Sequence, residues 1–572
     1  MRTLISVFAG VAGLGLLVGT IASGAVVPGA PAISGARGAH ALTFRSRPRL
    51  RNHQPPSPTP CSSNYPSTSF NAVHGVSDHA GGDDSAVLGG TNNEACDQSA
   101  SVSGGDYNIA GHGASESFIG GGYFNAVSAT QSGLLAGDGN NVAAQDSGIG
   151  AGFSNYVDVS GTNSFIAAGN SNVVTGDGVF IGAGQANSAN GDSAVVAGFN
   201  NTSNAASFVG AGSDNNALGS GSGVVTGYDN QVSGPAYGSL IGAGGALLVM
   251  AGLASGKSYA GNAVTGQDSF IAAGDENLVS GYGSIVGGGG AVPLLANVVG
   301  LNNQIAGNDS FVGAGDGNSI GANQAFIGSG QSNSIAAAAT YSVIAGGSYN
   351  AAGNLSAAVG GGRYNNASGA YATIPGGYEN VASGIASFAA GNRAQAVTTG
   401  SFVWSDSSSS TVHVVSKAPN QFIARAIGGV AFYSNAALTS GVLLAPGAGT
   451  WSNLSDRRMK TAVMPLDDAA VLAKVAALPI SEWSYRSEGG VRHVGPMAQD
   501  FYAAFRVGED DRHITSIDED GVALAAIKAL HAENAKTNAD NRSLHSENVA
   551  LRNRLSALEQ KVAALAAGRF PR

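Results

Sequence analysis

The sequence predicts a mainly β chain, an elongated stack of short parallel β-coils, followed by a small α+β unit that ends in a coiled-coil helix. Three observations predict it. A unit of about fifteen residues recurs between Phe70 and Gly400. The composition is high in Gly (87 of 572 residues) and apolar side chains (43%) yet low in charge (11%), which suits repetitive order better than disorder. Residues 527–566 carry a sustained heptad pattern.

Residues 1–25 read as a secretory signal: Arg2, an apolar run from Leu4 to Ile21, and the small residues Ala22, Ser23, Gly24 and Ala25. The run is long enough that an uncleaved membrane anchor is the alternative. Residues 26–69 form a Pro- and Arg-rich linker, with Arg45, Arg47, Arg49 and Arg51 read as solvated charges. Cys61 and Cys96 are the only cysteines and suit an exported chain. A disulfide between them ties the linker to the first coils and is worth roughly 3–4 kcal/mol. His53, His74 and His79 lie nearby, but their spacing matches no zinc pattern, so no metal is expected.

Residues 70–400 hold the repeats. The unit Ser-φ-φ-x-x-Gly-x-x-Asn appears as SFIGGGYFN from Ser117, SGLLAGDGN from Ser132 and SFIAAGNSN from Ser164, and again from Ser207, Ser269, Ser310 and Ser342. An irregular insertion interrupts it around Ala246–Gly261. The apolar pair forms a very short strand, and the Gly permits a tight turn or close backbone approach. The Asn takes a left-handed or turn conformation, and its side chain bonds the neighbouring backbone, so that stacked copies form a ladder. A coil this small encloses little apolar volume, so the outward Phe, Ile, Val and Ala call for a partner surface. The formal charge is −10, and Lys257, Arg363 and Arg393 are the only basic residues between Phe70 and Gly400, which excludes nucleic acid as a partner. Asp138, Asp177 and Asp192 are scattered over turns, not paired in a cleft, so no glycosidase activity is expected.

These units resemble the head repeats of trimeric autotransporter adhesins of the YadA-like type, and the run from Ser387 to Ser407 resembles the segment that closes such arrays. The resemblance implies a left-handed parallel β-roll trimer. Such adhesins end in a membrane barrel. The charged helical pattern at this C-terminus does not match one.

Residues 401–454 read as a β-rich neck, with β-structure and a Gly-Gly turn from Asn420 to Asn435. Residues 455–526 have the composition of a small globular domain. From Ile527, the a positions are Ile527, Asn534, Asn541, Asn548, Leu555 and Val562, and the d positions Leu530, Thr537, Leu544, Leu551, Leu558 and Leu565. This seam argues for association of helices, with Asn at a fixing register at a cost in stability. The alternative is one amphipathic helix docked on its own domain.

The segment Leu454-Ser455-Asp456-Arg457-Arg458-Met459-Lys460 reads by itself as a turn or helix cap, set by the Ser-Asp pair, with a solvated Lys. Together with HVGPMAQDFYAAF from His493 and IDEDGVALAAIKAL from Ile517, however, it resembles the endosialidase-type intramolecular chaperone domain, a self-cleaving peptidase family found at the ends of phage tail spikes. The resemblance implies that Ser455 is a nucleophile partnered by Lys460, and that the cut falls between Leu454 and Ser455. Asp456, His493 and Gln499 stand as auxiliary positions, with no cofactor implied. A Lys acting as base must be neutral, and lowering a lysine from about 10.4 to about 7 takes roughly 4–5 kcal/mol of desolvation or repulsion. Arg457 and Arg458 would help by repulsion and Asp456 would oppose it. Five residues apart, Ser455 and Lys460 share no helix or strand face, so a bend must join them.

The expected protein is therefore a secreted or cell-surface fibre whose partners are its own copies, as a homotrimer, and a host-surface or matrix ligand met by the repeats. Its C-terminal domain promotes assembly and then cuts itself off. The alternatives are a phage-type tail fibre that binds receptors, and the same fibre with a permanent, uncleaved trimerisation domain.

Overall fold

The computed structural model describes Cys61 and residues 72–245, 261–289 and 302–568. The signal and most of the linker lie outside the described residues. From Ala72 to Arg425 the chain winds as a parallel β-solenoid. Each coil contributes two short strands, one to each of two parallel sheets. In the first sheet Phe165 and Ile166 pair with Phe180 and Ile181 of the next coil. In the second, Asn141 and Val142 pair with Tyr156 and Val157. The Ser-φ-φ motif builds the first sheet, as expected. The second sheet arises from the two residues that follow each Asn and was not foreseen, because a lone Val or Ala there carries little pattern.

Alternation along the strands places the second residue of each inside. Ile119, Leu134, Ile149, Ile166 and Ile181 make one fully buried column, and Val127, Val142, Val157 and Val174 face them from the other sheet. The core is therefore only two side chains thick, and a polar spine completes it. Asn155 is 1% exposed; its Nδ2 donates to Oδ1 of Asn140 below (2.9 Å) and to the Gly169 carbonyl above (2.8 Å). Its own Oδ1 accepts from the backbone N–H (3.1 Å) and Nδ2 (3.0 Å) of Asn172. Every donor and acceptor of the buried amide is used, which is what allows it inside. The ladder begins on Asp78, whose Oδ1 accepts from Asn93, and ends where the Ala394 N–H donates to Asn380. A first rung needs only an acceptor, and a carboxylate supplies it.

The turn differs in one detail from the reading of the unit. The left-handed residue is not the Asn but the one before it, as at Phe124 (φ 53°) and Ser154 (φ 52°). The Gly two residues earlier is required on steric grounds: at Gly137 (φ 129°) a Cβ would lie 2.3 Å from the Asn140 amide and 2.3 Å from the Gly152 carbonyl. The expected insertion leaves the ladder unbroken, since Val232 pairs directly with Val264 and Asn262 bonds Asn230. A second insertion is spanned in the same way, Val279 pairing with Ile305.

The two outer faces differ. The first sheet turns Phe118, Phe165, Phe180, Phe208 and Phe326 outward, each roughly 40% exposed. At the top, Phe388, Phe402 and Phe422 stack at 4.5 and 4.9 Å on longer strands. The second sheet carries mostly small or polar residues at the matching positions, such as Asn141, Ser188, Thr202, Asn216 and Gln304. Cys61 and Cys96 are joined in a disulfide with Cα atoms 5.2 Å apart, and Glu94 accepts a hydrogen bond from the Cys61 N–H.

Beyond the solenoid, the Gly428-Gly429 turn does not close a hairpin. It separates Phe422–Arg425, the last solenoid strand, from an antiparallel sheet of Val430–Tyr433, Gly441–Leu444 and Ser452–Asn453. Three helices follow: α1 (Asp468–Ala477), α2 (Ala498–Phe505) and α3 (Ser516–Ala566). Val471 of α1 packs on Ala525 and Ala526 of α3, with Leu472, Val475, Phe505 and Val522 around them, and Lys528 pairs with Asp468. The heptad residues lie on one continuous helix and are exposed, from Ile527 (62%) to Leu565 (55%). Among the described residues no helix is long and apolar enough to cross a membrane.

Asn155→Ala should destabilise the solenoid by roughly 1–3 kcal/mol, because it leaves the Asn172 backbone N–H without its acceptor and takes one hydrogen bond each from Asn140 Oδ1 and Asn172 Nδ2. Ser154→Gly should change stability by no more than about 1 kcal/mol, because glycine tolerates the left-handed turn. Thermal unfolding followed by circular dichroism, with hydrogen exchange at the neighbouring coils, checks both.

Candidate functional site

The strand Ser452–Asn453 ends the antiparallel sheet, and the Leu454 N–H still donates to the Gly441 carbonyl (3.2 Å). The chain then leaves the sheet and turns sharply. Asp456 caps a 3-10 turn over Arg457–Met459, its Oδ1 accepting from the Arg458 N–H at 2.9 Å. The Met459 N–H donates to the Asp456 carbonyl and the Lys460 N–H to the Arg457 carbonyl, both at 3.1 Å. This one turn supplies the bend that the five-residue spacing requires. It returns Lys460 upon Ser455, and Nζ donates to Oγ at 2.7 Å.

Charge around the pair is arranged differently from the sequence reading. Arg458 does not face Lys460 as a repelling cation. Its guanidinium binds Asp456, Nη2 to Oδ2 at 2.7 Å. The Arg458 side chain and backbone hydrogen bonds hold the Asp456 carboxyl below the usual aspartate range, and Asp456 in turn raises Arg458. The two opposite charges satisfy each other, so Asp456 is a turn-builder. Residues 451–467 are all exposed. They include large apolar side chains: Leu454, Met459 (56%), Val463 (74%), Met464 (81%) and Leu466.

The second motif is placed elsewhere. His493 sits in the strand His493–Gly495, paired with Ser481–Trp483, so that Trp483 lies opposite it. Its ring stacks on Trp483 at 4.8 Å, meets Tyr485 edge-on at 5.6 Å, and its Nε2 lies 2.8 Å from Glu488. Gln499 is exposed near the start of α2. Among the described residues, no hydrogen bond or ion pair links either side chain to Ser455 or Lys460. His493 thus anchors a small aromatic cluster. That cluster was missed because nothing in the spacing of Trp483, Tyr485 and His493 announces a strand pair. A further link, Asn453 Nδ2 to Ser516 Oγ at 3.4 Å, joins the strand just before the turn to the start of α3.

The arrangement suits one chemistry. A hydroxyl placed next to its own amide carbonyl, with an amine in hydrogen-bond contact, is set for intramolecular acyl transfer once the amine is neutral.

Acidification tests the turn. The capping carboxylate of Asp456 is present above the unfolded aspartate range and is lost as pH falls through its depressed folded value. In an NMR titration Asp456 should therefore titrate below a peptide aspartate, and Arg458→Ala should move its midpoint back up.

Residues 455–507 match the family model Peptidase_S74, chaperone of endosialidase. The match opens on Ser455 and closes before α3, so the resembling run from Ile517 lies outside it. No curated protein matches the chain. The family match supports an intramolecular chaperone role with self-cleavage for the C-terminal region.

Proposed function

We propose that the chain is an exported, adhesin-like fibre whose C-terminal domain drives trimer assembly and then releases itself by cutting between Leu454 and Ser455. The observation that carries this reading is the 2.7 Å contact between Lys460 Nζ and Ser455 Oγ, at the residue where the family match begins. Neutral Lys460 takes the proton of the Ser455 hydroxyl while Oγ attacks the Leu454 carbonyl carbon. The C–N bond breaks, and the proton passes to the nitrogen of Ser455. The resulting ester joins the Leu454 acyl group to Oγ. Water hydrolyses it, leaving a carboxylate on Leu454 and a free amine and hydroxyl on Ser455.

In the single chain, the Ser455–Lys460 pair lies in an exposed turn. A base must be neutral, and removal from water is what favours a neutral amine. The exposed apolar side chains around the turn, the heptad seam of α3 and the phenylalanine face of the solenoid are three surfaces that copies of the chain would cover. Assembly is therefore the event that switches the dyad on. The secretory signal read in residues 1–25 supports a fibre on the cell surface or in the medium, where the repeats would meet a surface or matrix ligand.

Full-length protein should yield two fragments on a denaturing gel, the smaller beginning at Ser455 by mass spectrometry. Ser455→Ala and Lys460→Ala should each leave one intact band, with activity reduced by at least about a thousandfold. An intact wild-type chain in a well-formed trimer would reduce the domain to a permanent trimerisation tag. Enrichment in virions instead of cell-surface or medium fractions would favour a tail fibre.

If assembly gates the cut, Leu551→Glu with Leu558→Glu should lower both trimer content and cleavage. Sedimentation and gel densitometry on the same samples check this, and fast cutting by a monomer would refute the gating.

A further inference from the structure

Four charges on α3 have no use on the helix that carries them. Glu547, Arg552, Arg554 and Glu559 are exposed, and among the described residues none of their side chains makes a hydrogen bond or ion pair. Nor can they pair along the helix, because charges support each other there at three or four residues' spacing. Those neighbours are Ser543, Leu544, Ala550 and Leu551 for Glu547, and they are equally uncharged for the other three. All four flank the heptad seam. With Ile527 at a, Glu547 and Arg554 stand at g, and Arg552 and Glu559 at e. In parallel helices held in register, a g residue lies beside the e residue five positions on in its neighbour, and such pairs set partner choice and orientation. Glu547 then meets Arg552 of the neighbouring copy, and Arg554 meets Glu559. Asp540 meets His545 in the heptad before. Nowhere along the seam does this register bring like charges together.

We propose that the exposed seam of α3 is a self-recognition surface: its occupant is α3 of a second copy, parallel and in the same register, selected by the pairs Glu547–Arg552 and Arg554–Glu559. Other arrangements of the same two helices fail on the same residues. A slip of one heptad sets Glu547 against Glu559, or Arg554 against Arg552. Antiparallel pairing places a residues opposite d residues, and the d positions hold only leucines and Thr537. At most one of Asn534, Asn541 and Asn548 can then face Thr537, and the others bury an amide against leucine without a partner. In parallel register each of these asparagines faces its own copy, and an amide offers both a donor and an acceptor to its twin. The core layers thus reject the wrong direction, and the flanking charges reject the wrong register and a partner of different charge pattern. This rests on the assembly half of the proposed function and on nothing about the cut.

The test uses the full-length chain carrying Ser455→Ala, so that α3 stays attached. Glu547→Arg and Arg552→Glu each put like charges together, and the two combined restore opposite charges with the signs exchanged. At low salt, sedimentation should show each single change weakening association by about tenfold and the combined change returning it to within about threefold of the parent. Added salt should narrow these differences. Leu565→Cys reads the orientation. Parallel copies in register bring the new thiols together, and an added oxidant joins them in a disulfide, whereas antiparallel helices hold them at opposite ends. The proposal is overturned if the combined change associates no better than the single ones, or if associated copies fail to cross-link. It is also overturned by a monomeric parent, whose seam its own chain would cover. Equal association of all variants at low salt overturns it too, and leaves assembly to the phenylalanine face of the solenoid. A wild-type chain that still cuts itself beside such a result keeps the proposed function and loses only the charge pairs. Charge-dependent, cross-linked assembly of a chain that never cuts does the reverse.

Discussion

A buried carboxamide spanning three coils is the constraint on which this molecule depends. Two-residue strands form few backbone hydrogen bonds, and a core two side chains thick buries little apolar area per coil. The asparagine spine compensates. Each amide ties the coil below to the coil above with no polar atom left over, so the coil-to-coil distance and register are set by the amide. The glycine column follows from it, since the amide occupies the space a Cβ would need. The insertions follow as well. Chain can leave and re-enter wherever the next asparagine takes up the rung, as Asn262 does on Asn230 and Asn303 on Asn277.

What the ladder does not do is hide the outside. The solenoid presents a column of phenylalanines, α3 presents its leucine seam, and the turn after Ser455 presents methionine, valine and leucine to water. Among the described residues the small helical unit buries only Val471, Phe501, Ala525, Ala526 and Ala529, too little to stand as an independent core. Exposed apolar area on this scale marks surfaces made to be covered. That all three occur on one chain, and that the Ser–Lys pair sits in the middle one, is the physical basis for coupling the proposed chemistry to assembly.

Much of the architecture was legible because its signals are local and repeated. Ser-φ-φ, the glycine and the asparagine each have one conformational use, and repetition fixed which neighbour they meet. The second strand of each coil was not legible, since a single inward Val or Ala gives no period to read. The left-handed residue escaped because its position holds Ser, Phe, Tyr, Asp and Glu in different coils, so the geometry is imposed by the stack and not by propensity. At the candidate site, the need for a bend could be read from the spacing of Ser455 and Lys460. Its maker, the cap offered by the Ser455-Asp456 pair, could be read as well, but the pairing of Arg458 with that carboxylate could not. Whether an arginine repels the nearby lysine or neutralises the nearby aspartate is decided by side-chain direction, which the linear order does not contain. His493 was drawn toward the site by motif membership, while the strand pair with Ser481–Trp483 holds it against Trp483.

On the proposed reading, a removable clamp answers a problem this fold creates. Successive coils are nearly alike, so three chains aligning along their solenoids would meet almost the same surface after a slip of one coil, and little free energy would separate right from wrong register. Parallel strands cannot begin as hairpins either, so the stack has no local nucleus. The seam of α3 lacks this degeneracy. Asn534, Asn541 and Asn548 at successive a positions, between leucine layers and then Leu555 and Val562, make a slipped pairing set amides against leucines. A unique seam can thus choose the register that the repetitive shaft then propagates coil by coil. Once the shaft has closed, its stability rests on ladders and buried columns that the seam does not touch. On the proposed reading, cutting at Leu454 removes the route by which the chains could separate and realign, and turns a register chosen reversibly into one held by the slowness of unfolding.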